Sequence, residues 1–534
     1  MVPRALARSR AIRVVPLVLA AAVVVTAAVG GAALKDRKQR IQDSPPAANL
    51  WVDASGGGCT RSAKVVAYRD AAACSSVDAA WDACRPGDNI SVKAGVYGSQ
   101  AISGDKPAPG CRVRGEDGTT IGSLVTGGAF FTLSNATVDV GTDKQAGWKD
   151  TASNVTLSNV RLHGAFVTVD IYRAGNVRWL GGELGTAGQT GGKRVCGQDA
   201  QPVQIGEADH ITFSGVRFHP QDADLTPSPC SVNGQHLEMI RIDGGASFIT
   251  VRDSTFDSGD NSNTASIFIT EPGGSIDPHD LTFENNFFGR NEAVVGTFQV
   301  HANVSPCVNF TFAYNTFLKT PGAFGCTSAV NTRWIGNVGP FPPGPTCFGT
   351  YDSNVWQDPI RDKCGTDKWV DGPRLQTNRL GLGGPDGFHL QAGSPAIDSG
   401  DTSGYCITML RSRDHDGGRR HVGTRCDAGA DEYQAGPAVV ASLVRTRWSR
   451  KASARVLILT LDVDETVAAD ARLVRGRRTI ARIRQAALST GNRKATLTLG
   501  GSTVPGRAEV RIVLTDVAGN RRVVQRDVQV PRGK

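Results

Sequence analysis

FFTLSNATV (130–138), NVTLSNVRL (154–162), NVRWLGGEL (176–184), HITFSGVRF (210–218), FITVRDSTF (248–256), DLTFENNFF (280–288), NFTFAYNTF (309–317) and NTRWIGNVG (331–339) align without a gap, their starts 22 to 38 residues apart. The fourth position is apolar in all eight: Leu133, Leu157, Trp179, Phe213, Val251, Phe283, Phe312 and Trp334. The second is Phe131, Val155, Val177, Ile211, Ile249, Leu281 or Phe310, with Thr332 the exception, and threonine stands between them in six of eight. That alternation has period 2, so it predicts a strand with apolar residues inward and threonine outward. The sixth position is Asn135, Asn159, Gly181, Gly215, Asp253, Asn285 or Gly336, with Tyr314 the departure. Asn, Gly and Asp tolerate a left-handed backbone, so a sharp turn is expected there in every repeat. An apolar residue returns at the ninth position, from Val138 through Phe317.

Strands, sharp turns and variable insertions on a minimum repeat of about 22 residues predict a parallel β-helix. A leucine-rich frame is absent. The chain of 534 residues, with 63 glycines, 3 methionines and 6% aromatics, suits a turn-rich β protein better than a helical bundle. Its 40% hydrophobic and 20% charged fractions exclude disorder over most of the length.

The repeats have company at both ends. SVDAAWDACRPGDNISVKAGVYG (76–98) reads as a short helix through Ala83, capped by Ser75 or Ser76, then a Pro-Gly-Asp turn into a strand from Asn89. With GSPAIDSGD (393–401), DHDGGRR (414–420) and DAGADEY (427–433), residues 50–435 resemble the right-handed parallel β-helix repeat proteins of the pectate-lyase-like superfamily. The first segment is similar to their N-terminal cap and the others to their closing segment. The resemblance implies a fold and not a reaction. The Asn-Thr-Asp and Gly-His-Gly signatures of polygalacturonases are missing, as is the Arg-rich strand of pectate lyases.

Beyond Gln434 the composition changes. Residues 436–534 alternate in short runs separated by glycine turns, which predicts a small antiparallel β-sandwich similar to the Ig-like appendages of bacterial exported proteins. Residues 438–534 carry 20 Lys/Arg against 7 acids, and residues 1–40 carry 8 against Asp36 alone. Of the 59 basic and 50 acidic side chains, 31 and 42 therefore remain for residues 41–437. The net +9 describes the ends of the chain. It is not evidence for a nucleic-acid partner. The basic face of the sandwich reads as a solvated surface or as a contact with anionic wall polymer.

Arg4, Arg8, Arg10 and Arg13 precede an apolar run, residues 14–34, long enough to span a bilayer, and Lys35, Arg37, Lys38 and Arg40 follow it. Residues 1–40 are thus a signal peptide or an uncleaved membrane anchor, and 41–49 (IQDSPPAAN) a linker. The twelve cysteines contain no Cys-x-x-Cys pair, which argues against zinc or thioredoxin-like chemistry. Neighbour pairing gives Cys59–Cys74, Cys84–Cys111, Cys196–Cys230, Cys307–Cys326, Cys347–Cys364 and Cys406–Cys426. An oxidising, extracellular setting is expected, with the chain secreted or anchored by residues 14–34 and monomeric.

Chemistry is sought on the strand upstream of each threonine motif. Its apolar-x-apolar cores place Asp170, Gln204, Arg241, Phe268 and Gln299 in one outward column, and Tyr172, Gly206, Asp243, Thr270 and His301 in a second. Aromatic faces with amides and charges suit a sugar-binding floor. The insertions 185–201, 219–236 and 257–265 enter this strand and bring Asp199, Asp222, Asp224, Asp257 and Asp260, while Glu271, Asp277 and His279 leave it. These are expected to wall a groove, with Cys196–Cys230 tying the first two loops. The expected ligand is a polysaccharide. A lyase would use Arg241, Asp243 and His301 to remove and stabilise the α-proton of a uronate, with Ca²⁺ the candidate cofactor on Asp243 and Asp170. A hydrolase would need two carboxyls, and Asp243 with Glu271 is the pair on adjacent coils. The plainer readings are a non-catalytic binder or envelope scaffold, a solvated Arg241–Asp243 pair, a surface His301, a structural turn at Asp414-His415-Asp416-Gly417 and a structural threonine ladder.

Overall fold

The computed structural model describes residues 47–139, 146–148, 153–163, 167–185, 201–219, 238–257, 265–271, 276–289, 296–319, 321–340, 347–357, 364–370, 382–383, 388–391, 393–401, 404–408, 413–421, 425–433, 441–451, 454–463, 467–476, 478–488, 491–499, 504–516 and 521–531. The chain divides into residues 1–46 and 47–534, and all described residues belong to the second unit. The expected signal or anchor therefore lies outside the described residues, as do Cys196 and Cys230. Among the described residues no helix is long and apolar enough to cross a membrane. At the end of the expected linker, Ala48 forms an antiparallel bridge with Val66.

Among the described residues, thirty parallel strands wind into one β-helix with three faces. The first face carries the threonine motif and runs from Leu50–Val52 to Thr350–Asp352. Its register repeats without slip, so Thr212, Thr250, Thr282 and Thr311 face one another across coils. The second face carries the ninth position, in strands such as Arg217–Phe218, Thr255–Phe256, Phe287–Phe288 and Thr316–Phe317. The third face holds Val167–Tyr172, Gln201–Gly206, Ile240–Ile242, Ala265–Ile269, Gly296–Val300 and Gly322–Phe324.

Inside, the predicted positions meet as stacked columns. Fourth-position rings pile up as Phe283–Phe312 (5.5 Å) and Phe312–Trp334 (4.0 Å), and ninth-position rings as Phe218–Phe256 (4.5 Å), Phe256–Phe288 (4.6 Å) and Phe288–Phe317 (5.1 Å). Thr332, the exception at the second position, is buried and satisfied by donating to the Cys307 carbonyl at 3.2 Å.

The corner between the first two faces is sharp for the expected reason. All eight sixth-position residues have positive φ, from 50° at Asp253 to 68° at Gly181 and Gly215. The seventh position, which the sequence reading passed over, does more. It is apolar or glycine in the early coils (Ala136, Val160, Gly182, Val216) and then becomes Ser254, Asn286, Asn315, Asn337 and Asn354. Each of the four asparagines is fully buried, and each Oδ1 accepts from the backbone N–H one coil earlier, from Ser254 N→Asn286 at 3.0 Å to Asn337 N→Asn354 at 2.8 Å. Each Nδ2 donates to a first-face carbonyl and to the next acceptor in the column, for example Asn337 Nδ2→Phe312 O at 2.9 Å and →Asn354 Oδ1 at 2.8 Å. Asp367 ends the ladder by accepting from Asn354, and burial lifts its carboxyl to about 6.

The N-terminal cap follows its sequence. The helix Val77–Ala83 is capped by Ser76, whose hydroxyl accepts from Ala79 N at 3.3 Å, and the chain turns into the strand Asn89–Val92. The segments similar to a closing segment pack along the corner between the first two faces. Tyr314, the sixth-position departure, donates its hydroxyl to Asp401, and its ring lies under Arg420 at 4.4 Å. Farther along, Tyr405 donates to Glu284 at 3.2 Å, His415 bonds the Asn285 carbonyl at 3.0 Å, and Ala430 N donates to Thr316 at 2.9 Å. The described parts of residues 388–433 thus form a strap over the first corner, and its partners explain why a tyrosine occupies a turn position.

Five of the six expected disulfides are formed: Cys59–Cys74, Cys84–Cys111, Cys307–Cys326, Cys347–Cys364 and Cys406–Cys426. They mark an oxidising environment. The C-terminal residues form a three-stranded antiparallel sheet (Ala441–Lys451, Ala454–Val463, Gly491–Leu499) and a four-stranded one (Val467–Arg475, Arg478–Leu488, Gly506–Asp516, Arg521–Val530) around one apolar core. This is the expected sandwich.

Asn337→Ala should destabilise the chain by about 3 kcal/mol, because it strands a buried N–H and a buried carbonyl. The outward Thr212→Ala should cost under about 1 kcal/mol by the same denaturant titration. Equal losses would remove the ladder's special role. A second expectation concerns His219, held between Asp257 (3.0 Å) and Glu183 (3.4 Å) at the end of the second face. The hydrogen bond to Asp257, then the charges of Asp257 and Glu183, raise the imidazole above its ordinary value. Its stabilisation is complete below about pH 6.5 and is lost as pH rises through the folded value. Thermal unfolding of His219→Gln should show a larger deficit at about pH 5.5 than at about pH 8.5, and a pH-independent deficit would refute the coupling.

Candidate functional site

The third face builds the two columns in the expected register. Asp170 pairs with Gln204, Gln204 with Arg241, Arg241 with Phe268, and Phe268 with Gln299. Their neighbours Val169, Ile171, Val203, Ile205, Ile240, Ile242, Ile267, Ile269, Phe298 and Val300 are all buried in the coil. The side chains between them therefore point away from the core. Arg241 is not inside the helix. Asp243 N, Thr270 N and His301 N each donate to the coil before, at 2.7, 2.9 and 2.9 Å, which places the second column beside the first.

These side chains interlock rather than stand in water. Arg241 Nε donates to Asp243 Oδ1 at 2.7 Å, Gln204 Nε2 donates to Asp243 Oδ2 at 2.7 Å, and the guanidinium lies 5.8 Å over the Phe268 ring. The Arg241 and Asp243 side chains are 21% and 12% exposed, so the pair is not the solvated one that spacing alone allowed. A carboxylate held by donors on both oxygens is fixed in place, and it keeps the cation of Arg241 in the floor. Both Asp243 oxygens thus accept from protein donors. Burial, and then the charge of Asp243, raises the Asp170 carboxyl.

At one end of the floor, the Tyr172 hydroxyl donates to Glu207, Arg173 donates to the same carboxylate at 2.9 Å, and the Arg173 guanidinium lies 4.9 Å over the tyrosine ring. The ring has room because residue 206 is glycine: a Cβ there would sit 3.3 Å from Tyr172 Cδ2. At the other end His301 is exposed, with its ring 6.3 Å from Phe268 and edge-on. His301 stands two coils from Arg241, about 10 Å at the spacing of parallel strands. Glu271 is buried at the strand exit, where its backbone N–H donates to Asn303 at 3.2 Å.

The structure thus joins Arg241, Asp243, Gln204 and Phe268 directly and sets His301 apart. The three insertions enter this face at its edge, between Gly185 and Gln201, between His219 and Glu238, and between Asp257 and Ala265. The parts expected to wall the groove, with Asp199, Asp222, Asp224 and Asp260, lie outside the described residues. Asp257, expected on the lip, instead binds Arg217 (2.8 Å) and His219 on the second face.

Sequence reasoning missed a second concavity, of about 930 Å³, along the threonine face. Arg178, Thr212, Thr250, Thr282, Thr311 and Arg333 form its floor, and the stacked pair His210–Phe248 (4.7 Å) stands on its rim. The available signal was the first position of each repeat. There Asn154, Asn176, His210, Phe248, Asp280, Asn309 and Asn331 all have positive φ, so their side chains form an outer column beside the threonines. Adjacent coils bond through it, as in Asn176→Asn154 (2.6 Å), Asn309→Asp280 (2.8 Å) and Asn331→Asn309 (3.1 Å).

No protein-family model matches this sequence, and no curated protein matches it.

Proposed function

We propose that this chain is an exported, carbohydrate-active β-helix of the pectate-lyase-like kind, and that its third face binds an acidic polysaccharide. The observation that supports this is the fixed Arg241–Asp243–Gln204 base beside Phe268. A guanidinium held in a floor of aromatic and amide groups offers a forked donor to a uronate carboxylate, while the ring face takes an apolar sugar face. The five disulfides suit export, whether the chain is secreted or held by residues 14–34.

Binding is better supported than turnover. Arg241 is committed to Asp243, and His301 sits about two coils away, a separation that suits neighbouring sugars more than one reacting carbon. The lyase reading keeps Arg241, Asp243 and His301 as the groups to test, and Glu271 with Asp243 remains the pair for hydrolysis.

A panel of uronate-containing and neutral polymers decides among these readings. Wild-type chain should bind the uronate polymers, and Arg241→Ala should weaken that binding by about 10- to 100-fold while neutral polymers change little. New ultraviolet absorbance from an unsaturated product would establish the lyase. Uronate binding that survives Arg241→Ala but falls in Phe248→Ala would move the site to the threonine face and sink the third-face assignment.

A further inference from the structure

The strap contains a set of side chains that neither the coil nor the proposed glycan face uses. His389, Asp416 and Asp431 come from three separate segments, and one ligand atom of each lies within 4.8 Å of the other two. Among the described residues this is the one group of three His, Cys, Asp or Glu so arranged. His389 Nε2 lies 2.9 Å from Asp416 Oδ2. His389 and Asp431 are buried at 3% and 4% exposure, whereas the Asp416 side chain is 37% exposed, so one side of the set opens to solvent.

Each member is held from behind. Phe388 and His415 pack on Phe287 at 4.7 and 4.0 Å, and the same ring meets His389 edge-on at 5.4 Å. Asp431 Oδ2 accepts from Leu390 N at 2.7 Å, which ties its carboxylate to the His389 strand. Asp414 Oδ1 accepts from Gly418 N at 2.6 Å and closes the turn that presents Asp416. Asp414 is therefore the turn-maker in Asp-His-Asp-Gly, and Asp416 is the residue the turn delivers.

Two carboxylates and an imidazole converge there, and the Asp431 carboxylate is out of water. The buried guanidinium of Arg420 donates to the carbonyls of Asp427 and Gly429. Carboxylates taken out of water are costly unless a cation compensates them.

We propose that His389, Asp416 and Asp431 bind a divalent transition-metal ion of the Zn²⁺ or Mn²⁺ class, and that the ion staples the strap to itself. The imidazole nitrogen decides the class: Ca²⁺ and Mg²⁺ take oxygen ligands, whereas a His-carboxylate set suits zinc and its neighbours. Three protein ligands leave a position for water on the exposed Asp416 side, which is also the entry path. The ion lies in the strap over the first corner, away from the third-face columns, so its role is to hold the segments 388–391, 413–418 and 427–433 together. The inference stands apart from the glycan reading.

The test uses the full chain after dialysis against EDTA, titrated calorimetrically with ZnCl₂, MnCl₂ or CaCl₂ and followed by thermal unfolding. Zn²⁺ or Mn²⁺ should bind with one equivalent, and the unfolding midpoint should climb with the logarithm of free ion. Asp416→Asn, on the exposed side, should fold with the metal-free midpoint of wild type and lose at least 10-fold in affinity. Asp431→Asn is the second variant, expected to lose the ion as well. The proposal is overturned if neither transition metal binds, if Ca²⁺ alone does, or if Asp416→Asn binds as wild type does, since the ion would then sit elsewhere.

Discussion

Everything in the β-helix depends on one conformational demand: each coil must turn from its first face to its second within two residues. A left-handed residue makes that turn, and the residue after it is forced into the interior with its backbone N–H facing the next coil. A buried N–H must find an acceptor. From Ser254 onward the seventh position supplies one, with Asn286, Asn315, Asn337 and Asn354 each answering the coil before it. The register of the first face, the stacking of the fourth- and ninth-position rings and the outward placement of the third-face columns all follow from corners that never drift. A one-residue slip would exchange the inner and outer sets.

The fold was legible because its signal is periodic and local. Positions two, four, six and nine read inward, inward, left-handed and inward, and the coordinates agree even at Tyr314 and Thr332, where the exceptions are explained by the strap and by a buried hydroxyl. The third-face columns were legible for the same reason, since apolar-x-apolar fixes the direction of the middle residue. Contacts were not. Spacing put Arg241 and Asp243 on one face but gave no hint that Gln204 would occupy the second carboxylate oxygen, or that Asp257 would leave the lip for His219. Those outcomes depend on rotamers and on neighbours one coil away, which no single repeat encodes. The strap's placement was not legible, because the partners that hold it (Glu284, Asn285, Thr316) are themselves unremarkable in sequence. The seventh-position column was visible and simply went unread.

The two grooves differ in how a ligand would meet them. On the third face, charge is concentrated and held by second contacts, so recognition would be selective and stiff. On the threonine face, hydroxyls recur at the coil spacing with arginines at intervals, so recognition would be extended and weak per coil.

The change at the seventh position also divides the β-helix into two parts with different cohesion. Before Ser254 the corner is packed by Ala136, Val160, Gly182 and Val216, with Asn159 donating to Asn135 at 2.9 Å on its outer side. After it, the coils share a hydrogen-bonded column, the Phe–Trp stacks, the disulfides Cys307–Cys326 and Cys347–Cys364, and the overlying strap. In a linear array, stability is the sum of units and of couplings between neighbours. The buried column adds to the coupling between the C-terminal coils, so they open one at a time less readily than coils joined without it. The solenoid is therefore graded in cooperativity along its axis, with its third-face cluster at Gln204, Arg241 and Phe268 set across the boundary between the two regimes.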